Sequence, residues 1–188
     1  MRVLKRLGVF ALGVLLTSCT PSLHPLFTDK DVVFEPALLG KWIFEDDEHN
    51  KTEWTFTRAG DSAYALVHVE DGDPGRFEAR LLRLGQYLFL DIYPEEPALD
   101  NGFYKLHLIR AHTFARVTLE DDVLAISMMD QEWLEKAIEG KELSIGHERL
   151  NNGGIMLTAA TAELQQFVLK VVQNPEAFPE PSNFRRCE

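Results

Sequence analysis

The chain has 188 residues, of which 45% are hydrophobic, and a formal net charge of −11 at pH 7. This length is typical of one domain with a proper hydrophobic core. An acidic body is repelled by phosphate backbones and anionic lipid headgroups, which argues against nucleic acid as a partner and against a purely electrostatic attachment to a membrane.

The amino-terminal residues have the layout of a secretory signal. Three basic residues lie among the first six, and an apolar run follows over 7–16. This run is half the length of roughly 20 residues that a membrane-spanning helix needs, so a spanning segment is excluded on length. A signal cleaved later, for instance after Ser22, is the other alternative, and it would remove Cys19.

Leu16, Thr17, Ser18 and Cys19 end this apolar run and resemble the lipobox of bacterial lipoproteins. The resemblance implies that residues 1–18 are removed as a signal peptide. It also implies that the Cys19 thiol carries a diacylglycerol and that the new amino terminus is acylated, for example with palmitate. Each buried methylene contributes about 0.8 kcal/mol, so two or three acyl chains would hold the protein on a membrane essentially permanently.

The residue after the anchor bears on which membrane carries the protein. Thr20 stands where, by the same resemblance, an aspartate would retain a lipoprotein at the inner membrane. We therefore expect a location in the bacterial cell envelope and, in a host with two membranes, on the outer membrane facing the periplasm. No cofactor is expected apart from the lipid on Cys19, and no disulfide is expected between Cys19 and Cys187.

After the anchor, residues 19–36 are rich in Pro, Ser and Asp, which predicts a tether with part of its length packed on the domain. The domain itself is expected over 37–175. Short alternating runs separated by turn residues predict an eight-stranded antiparallel up-and-down barrel, a mainly β fold. The predicted strands are 41–45, 52–58, 63–69, 76–84, 87–93, 104–110, 114–119 and 123–129.

The carboxy-terminal third mixes helices with short extended pieces. A short helix is predicted over 130–140, with Asp130 as its N-cap, and a carboxy-terminal helix over 160–173. Short extended pieces are expected between them. Residues 176–188 are expected to form a tail.

Gly40 and Trp42 at the start of the first strand resemble the Gly-x-Trp motif of the lipocalins. In that family the tryptophan closes the bottom of an eight-stranded barrel, and the lumen holds a small apolar ligand. The resemblance therefore implies a barrel over about 39–158 with a ligand site inside it.

Strand alternation indicates which side chains could line such an interior. For the strand over 87–93, which is apolar on both faces, a helix is expected to cover one face. The sequence leaves open whether the inward side chains fill the core or border a pocket, because eight-stranded interiors can be closed by their own side chains. The candidate lining residues are Trp54, Phe56, Val67, Phe89, Asp91, Tyr104, Leu106 and Leu108.

Asp91 is the candidate with the most distinctive chemistry. A carboxylate among aromatic residues is costly to bury unless it is paired, and Arg83 or Arg110 on neighbouring strands could pair with it. A structural ion pair is favoured over a polar contact with a ligand.

Catalytic and metal-binding patterns are missing from the sequence. No His-x-His, Cys-x-x-Cys or Glu-x-x-His pattern occurs, and no serine lies in a Gly-x-Ser-x-Gly turn. Asp71 and Asp73 could contact calcium, but a solvated tight turn is favoured because a calcium loop needs more oxygen ligands. We therefore expect neither a metal site nor an enzyme.

Two functions fit these expectations. The first is a membrane-anchored lipoprotein of the cell envelope that binds a small apolar or amphipathic, lipid-like ligand in its barrel. The second is an interaction or scaffold subunit of an envelope assembly, with a filled core and an exposed apolar patch around Phe178, Phe184 or the aromatic residues of the tether. No feature of the sequence indicates which protein such a subunit would bind.

Overall fold

The structure is a computed structural model that describes residues 19–46, 50–151 and 153–187. The predicted recognition residues Leu16, Thr17 and Ser18 lie outside the described residues. Eleven strands are present in the described part of the chain: β1 Val32–Val33, β2 Gly40–Glu45, β3 Lys51–Ala59, β4 Ala63–Glu70, β5 Asp73–Leu84, β6 Tyr87–Pro94, β7 Thr113–Glu120, β8 Val123–Met128, β9 His147–Arg149, β10 Ile155–Leu157 and β11 Ser182–Cys187. The helices are α1 Gly102–Lys105, α2 Gln131–Glu139 and α3 Thr161–Val171, with a 3-10 helix at Pro36–Leu38.

The strands close into an eight-stranded antiparallel barrel, which confirms the predicted fold class. Seven strands, β2 to β8, follow one another around the barrel, and β11 fills the eighth place between β8 and β2. The pairing of β5 with β6 continues the ring, and β1 adds a short pairing at Leu81 and Leu82 of β5. Closure satisfies the backbone groups that an open sheet would leave at its two edges.

The predicted strand over 104–110 is wrong. This segment begins with α1, where the Asn101 side chain accepts a hydrogen bond of 3.0 Å from the Tyr104 amide. Asn is a preferred N-cap residue, and this cap favours the helix locally. In addition, β6 pairs directly with β7, so the barrel has no free edge here for another strand.

The eighth barrel strand comes instead from the segment expected to be a tail. Within 176–188, β11 pairs with β8 through Ser182 to Arg185 and with β2 through Arg185 to Cys187. The inward side chain Phe184 is buried among aromatic residues of the barrel. One apolar residue among polar ones is too weak a pattern to predict a strand, and the two pairing strands supply the stabilisation that the segment lacks.

The hydrophobic core has two parts, one on each face of the sheet. The inner part fills the barrel with side chains that include Trp42, Phe56, Tyr64 and Leu66. The outer part lies between the barrel wall and the carboxy-terminal elements, α2, β9, β10 and α3. Phe89 belongs to this outer part together with Val168 of α3, as expected for a strand with one face covered by a helix.

One end of the barrel is closed by side chains. Trp42 is fully buried there and donates its indole hydrogen to the Leu38 carbonyl oxygen at 2.9 Å. The Arg186 guanidinium lies 4.2 Å from the centre of the Trp42 ring and donates to the carbonyl oxygens of Leu39, at 2.8 Å, and Ala37. Gly40 has a φ of 118°, a backbone conformation that residues with a side chain rarely adopt, and this conformation favours glycine here.

Candidate ligand site at the barrel mouth

The opposite end of the barrel, which we call the mouth, contains a cavity of about 160 Å³. The last inward register positions at this end are Phe44, Thr52 and Glu70. The next inward positions are Trp42, Trp54 and His68, which are paired across β2, β3 and β4. The cavity is bordered by these residues other than Trp42 and by the inward faces of β8 and β11. Its apolar walls are Phe44, Trp54, Ile126, Met128 and Phe184.

The volume limits what the cavity can hold. An apolar cavity of about 150 Å³ accommodates a benzene-sized molecule, whereas sites for larger ligands range over roughly 300–1,000 Å³. The rest of the interior is occupied by side chains such as Trp42, Phe56, Tyr64 and Leu66, which are almost completely buried. These side chains occupy much of the interior, and the cavity at the mouth has room for a group of about six carbon atoms.

Polar side chains, among them His68, Glu70 and Glu180, also border this cavity. The Trp54 Nε1 atom is buried and has no hydrogen-bond partner among the described residues. Burial lowers the pKa of His68 from its ordinary value of 6.5, and the charge of Glu70 opposes this shift. A neutral His68 ring makes an edge contact with Trp54 at 5.7 Å, and both rings border the cavity.

Cys19 also lines the cavity, so the predicted lipid-attachment residue lies at the mouth of the barrel. It forms an isolated bridge with Asp130 at the start of α2. Burial raises the pKa of the Cys19 thiol, which keeps an unmodified thiol protonated at neutral pH and therefore weakly nucleophilic.

The segment after Cys19 is held against the body by backbone hydrogen bonds. Ser22 and His112 exchange two of them at 2.8 Å each, and Leu157 donates to Pro21 at 2.8 Å. Thr20 and Ser22 are buried, as is the Leu26 side chain. The first part of the expected tether is thus docked beside the barrel mouth.

Asp91 lies outside the cavity, on the outer face of β6. Its Oδ1 atom pairs with His112 Nδ1 at 2.7 Å, and its Oδ2 atom accepts a hydrogen bond from the Leu26 amide at 2.7 Å. The expected partners are wrong, because Arg83 is opposite Leu88 in the register and Arg110 lies over the Tyr93 ring. Asp91 fastens the amino-terminal segment to the barrel.

The other candidate lining residues are distributed over three places. Trp54 borders the cavity, and Phe56 is buried one layer deeper in the filled interior. Val67 and Phe89 alternate with inward residues and therefore lie on the outer face. Tyr104, Leu106 and Leu108 belong to the segment wrongly predicted as a strand. They are exposed, with 58%, 80% and 40% of their surfaces accessible.

Sequence reasoning missed most of the cavity wall. Phe44 and His68 alternate correctly with Trp42 and Leu66 along their strands, so strand periodicity could have included them. Ile126 lies on a correctly predicted strand, and the same alternation could have placed it among the inward residues. Phe184 had no such signal, because its strand forms only by pairing with distant segments.

In the described residues, no helix has both the length and the hydropathy needed to cross a bilayer. Across the same part of the chain, no group of three or more His, Cys, Asp or Glu side chains is arranged to hold a metal ion. Comparison of the chain with protein-family models, curated proteins and solved structures found no match.

Proposed function

We propose that the protein is a membrane-anchored lipoprotein of the bacterial cell envelope that holds a small apolar group in the mouth of its barrel. The observation that carries this proposal is the position of Cys19 in the wall of the apolar cavity. If Cys19 carries the lipid, the acyl chains leave the protein at the mouth. The cavity then opens close to the membrane surface, where amphipathic molecules are concentrated.

Binding would be driven by removing the apolar group from water. A group of about six carbons gains at most about 5 kcal/mol at roughly 0.8 kcal/mol per methylene. Before the costs of association, this corresponds to a dissociation constant of about 0.2 mM, so the site is weak for a free molecule in solution. It suits a short amphipathic molecule that the membrane concentrates near the mouth.

The polar rim selects among such ligands. Glu70 and Glu180 border the cavity, and their carboxylates would repel a carboxylate head group. We therefore favour a neutral or cationic amphiphile over a free fatty acid.

The alternative function, an interaction subunit, has a different basis from the one that the sequence indicated. Phe178 and Phe184 were expected to form an exposed patch, and both are buried. The exposed apolar side chains instead concentrate between β6 and β7. A filled core agrees with this alternative, whereas the cavity bordered by Cys19 favours the ligand-binding proposal.

The ligand site can be tested by nuclear magnetic resonance on the mature chain, residues 19–188 with Cys19→Ser. Titration with n-hexanol should shift the signals of Trp54 and Ile126 more than that of Trp42 at the closed end, and hexanoate should bind more weakly. Ile126→Phe fills the cavity and should abolish these shifts. Ile43→Phe makes the same exchange on the outer face of β2 and is the matched control.

Two outcomes would contradict the ligand proposal. One is the absence of any shift at millimolar hexanol, and the other is binding that Ile126→Phe leaves unchanged. Either would favour the filled-core alternative.

A further inference from the structure

The connection between β6 and β7, residues 95–112, carries an unusual amount of exposed apolar surface; we call it the mouth loop. Among the described residues, eight large hydrophobic side chains are exposed, and six of them belong to this loop. Phe103, Leu106 and Ile109 are 74%, 80% and 71% accessible. Apolar surface concentrated in this way marks an interaction site more often than scattered single residues do.

The mouth loop has internal contacts that hold its shape. Asn101 caps α1, and Lys105 pairs with Glu96 at 2.8 Å. Arg110 donates to the Pro94 carbonyl oxygen at 3.2 Å, which ties the end of the loop to its beginning. The apolar side chains therefore project from an ordered backbone.

The mouth loop and the predicted anchor lie at the same end of the barrel. β5 runs from the mouth at Asp73 to the closed end at Leu84, and β6 returns to the mouth at Pro94, where the loop begins. At the far end of the loop, His112 pairs with Ser22, three residues after Cys19. Three residues span at most about 11 Å, so a lipid on Cys19 would place the membrane close to this loop.

We propose that the mouth loop inserts Phe103, Leu106 and Ile109 into the bilayer that holds the lipid of Cys19. This inference rests on the proposed lipid anchoring. The anchor fixes the loop beside the membrane, so insertion becomes an intramolecular event with a high effective concentration. It removes from water three side chains that the fold leaves exposed.

The charges of the mouth loop indicate whether its contact with the membrane is electrostatic or apolar. Three acidic residues, Glu95, Glu96 and Asp100, outnumber the two basic residues of the loop, Lys105 and Arg110. The loop therefore lacks the excess of positive charge that would attract anionic lipids. The contact is apolar, and it should form on vesicles of uncharged phosphatidylcholine and withstand high salt.

The test uses the full chain, processed in cells and purified with its lipid, then reconstituted into phosphatidylcholine vesicles. Leu106→Cys and Leu169→Cys, each combined with Cys187→Ser, receive a polarity-sensitive fluorophore. Leu169 is an exposed residue of α3, one turn before a contact of Gln173 with Tyr87, which lies near the closed end. Mass spectrometry of the same samples reports the modification of Cys19.

We expect a blue shift of the fluorophore at position 106 on reconstitution and none at position 169. The double substitution Phe103→Ser and Ile109→Ser should reduce the shift at 106, and 1 M salt should leave it unchanged. Lipidated protein with equal spectra at both positions would overturn the inference and leave the anchoring intact. An unmodified Cys19 would overturn the proposed anchoring, and the inference with it.

Discussion

At the closed end of the barrel, Trp42 donates its indole hydrogen to Leu38 and is covered by Arg186. At the mouth, the indole nitrogen of Trp54 is buried without a partner among the described residues, beside a cavity. The two tryptophans are direct partners in the register of β2 and β3 and lie side by side, so the contrast is between the side of this pair that contacts the closed end and the side that borders the cavity. The side chains at the closed end are packed and hydrogen-bonded, whereas the mouth contains an unfilled cavity.

This comparison indicates where the barrel can change without losing stability. Each polar atom of Trp42 and Arg186 at the closed end has a partner within the protein, and removing a buried side chain there leaves a cavity and unpaired groups. At the mouth the cavity already exists. Substitutions there should affect binding more than folding.

The largest effect is expected for Trp42→Ala. Loss of a fully buried aromatic side chain costs about 3–5 kcal/mol of the free energy of unfolding, and here the Leu38 carbonyl and Arg186 also lose their partner. Urea denaturation of the variant measures this change. A loss below about 1 kcal/mol would mean that Trp42 does not hold the closed end together.

A smaller loss of stability is expected for Asp91→Ala, which removes contacts between the barrel and the segment that carries Cys19. The substitution leaves the buried Leu26 amide without its acceptor and His112 without its carboxylate, at a cost of about 1–3 kcal/mol. Hydrogen exchange should accelerate in residues 20–26 while β3 and β4 stay protected. The exposed acid Asp61, changed to Ala, is the control and should alter neither quantity. Unchanged protection of residues 20–26 would show that other contacts hold the segment.

The stability of the protein should depend on pH through His68, which borders the cavity at the mouth. Burial holds its pKa below 6.5 in the folded state, so the unfolded chain binds more protons as the pH falls. The stability associated with a neutral His68 is fully present above pH 6.5 and is lost as the pH falls through the lower folded pKa. Urea denaturation between pH 8 and pH 5 should therefore give a smaller decline for His68→Gln than for the wild type. His24→Gln, which keeps His68, is the control, and an unchanged decline in His68→Gln would contradict the assignment.

The smallest effect is expected for Trp54→Phe. The indole nitrogen that is lost has no partner among the described residues, and a ring remains to contact Phe56 and Phe184. A conservative exchange of this kind costs less than about 1.5 kcal/mol, whereas Trp42→Phe also breaks a buried hydrogen bond. Thermal denaturation of both variants compares the two ends directly. Equal losses would mean that the indole donors are equivalent.

Sequence periodicity predicted seven of the barrel strands, because each has alternating side chains and a turn that its own residues favour. The remaining predicted strand, the sixth in chain order, was placed at 104–110. Tyr104, Leu106 and Leu108 alternate there as in a strand but belong to the exposed connection between β6 and β7. The strand that closes the barrel, β11, has one inward apolar residue and pairs with β2, far away in the sequence. Because this pairing joins segments that are distant in the sequence, the composition of β11 alone does not predict it.

The candidate site was predicted less well than the fold. Trp54 lines the cavity as expected, whereas Phe89 and Asp91 lie on the outer face of the barrel. Alternation gives the faces of a strand but does not say which face is inside when both are apolar. The cavity itself is the volume left after the side chains have packed, which depends on all the strands together.

The measurement that tests the contrast between the two ends most directly uses Trp42 and Trp54 as probes. Two variants that keep one of these residues as the single tryptophan, with the others changed to Phe, are reconstituted as lipidated protein into vesicles containing lipids brominated near the ends of their acyl chains. Because the two tryptophans are neighbours in the register of β2 and β3, a mouth that faces the membrane predicts stronger quenching of Trp54 fluorescence than of Trp42 fluorescence. Equal quenching, or stronger quenching of Trp42, would contradict the account.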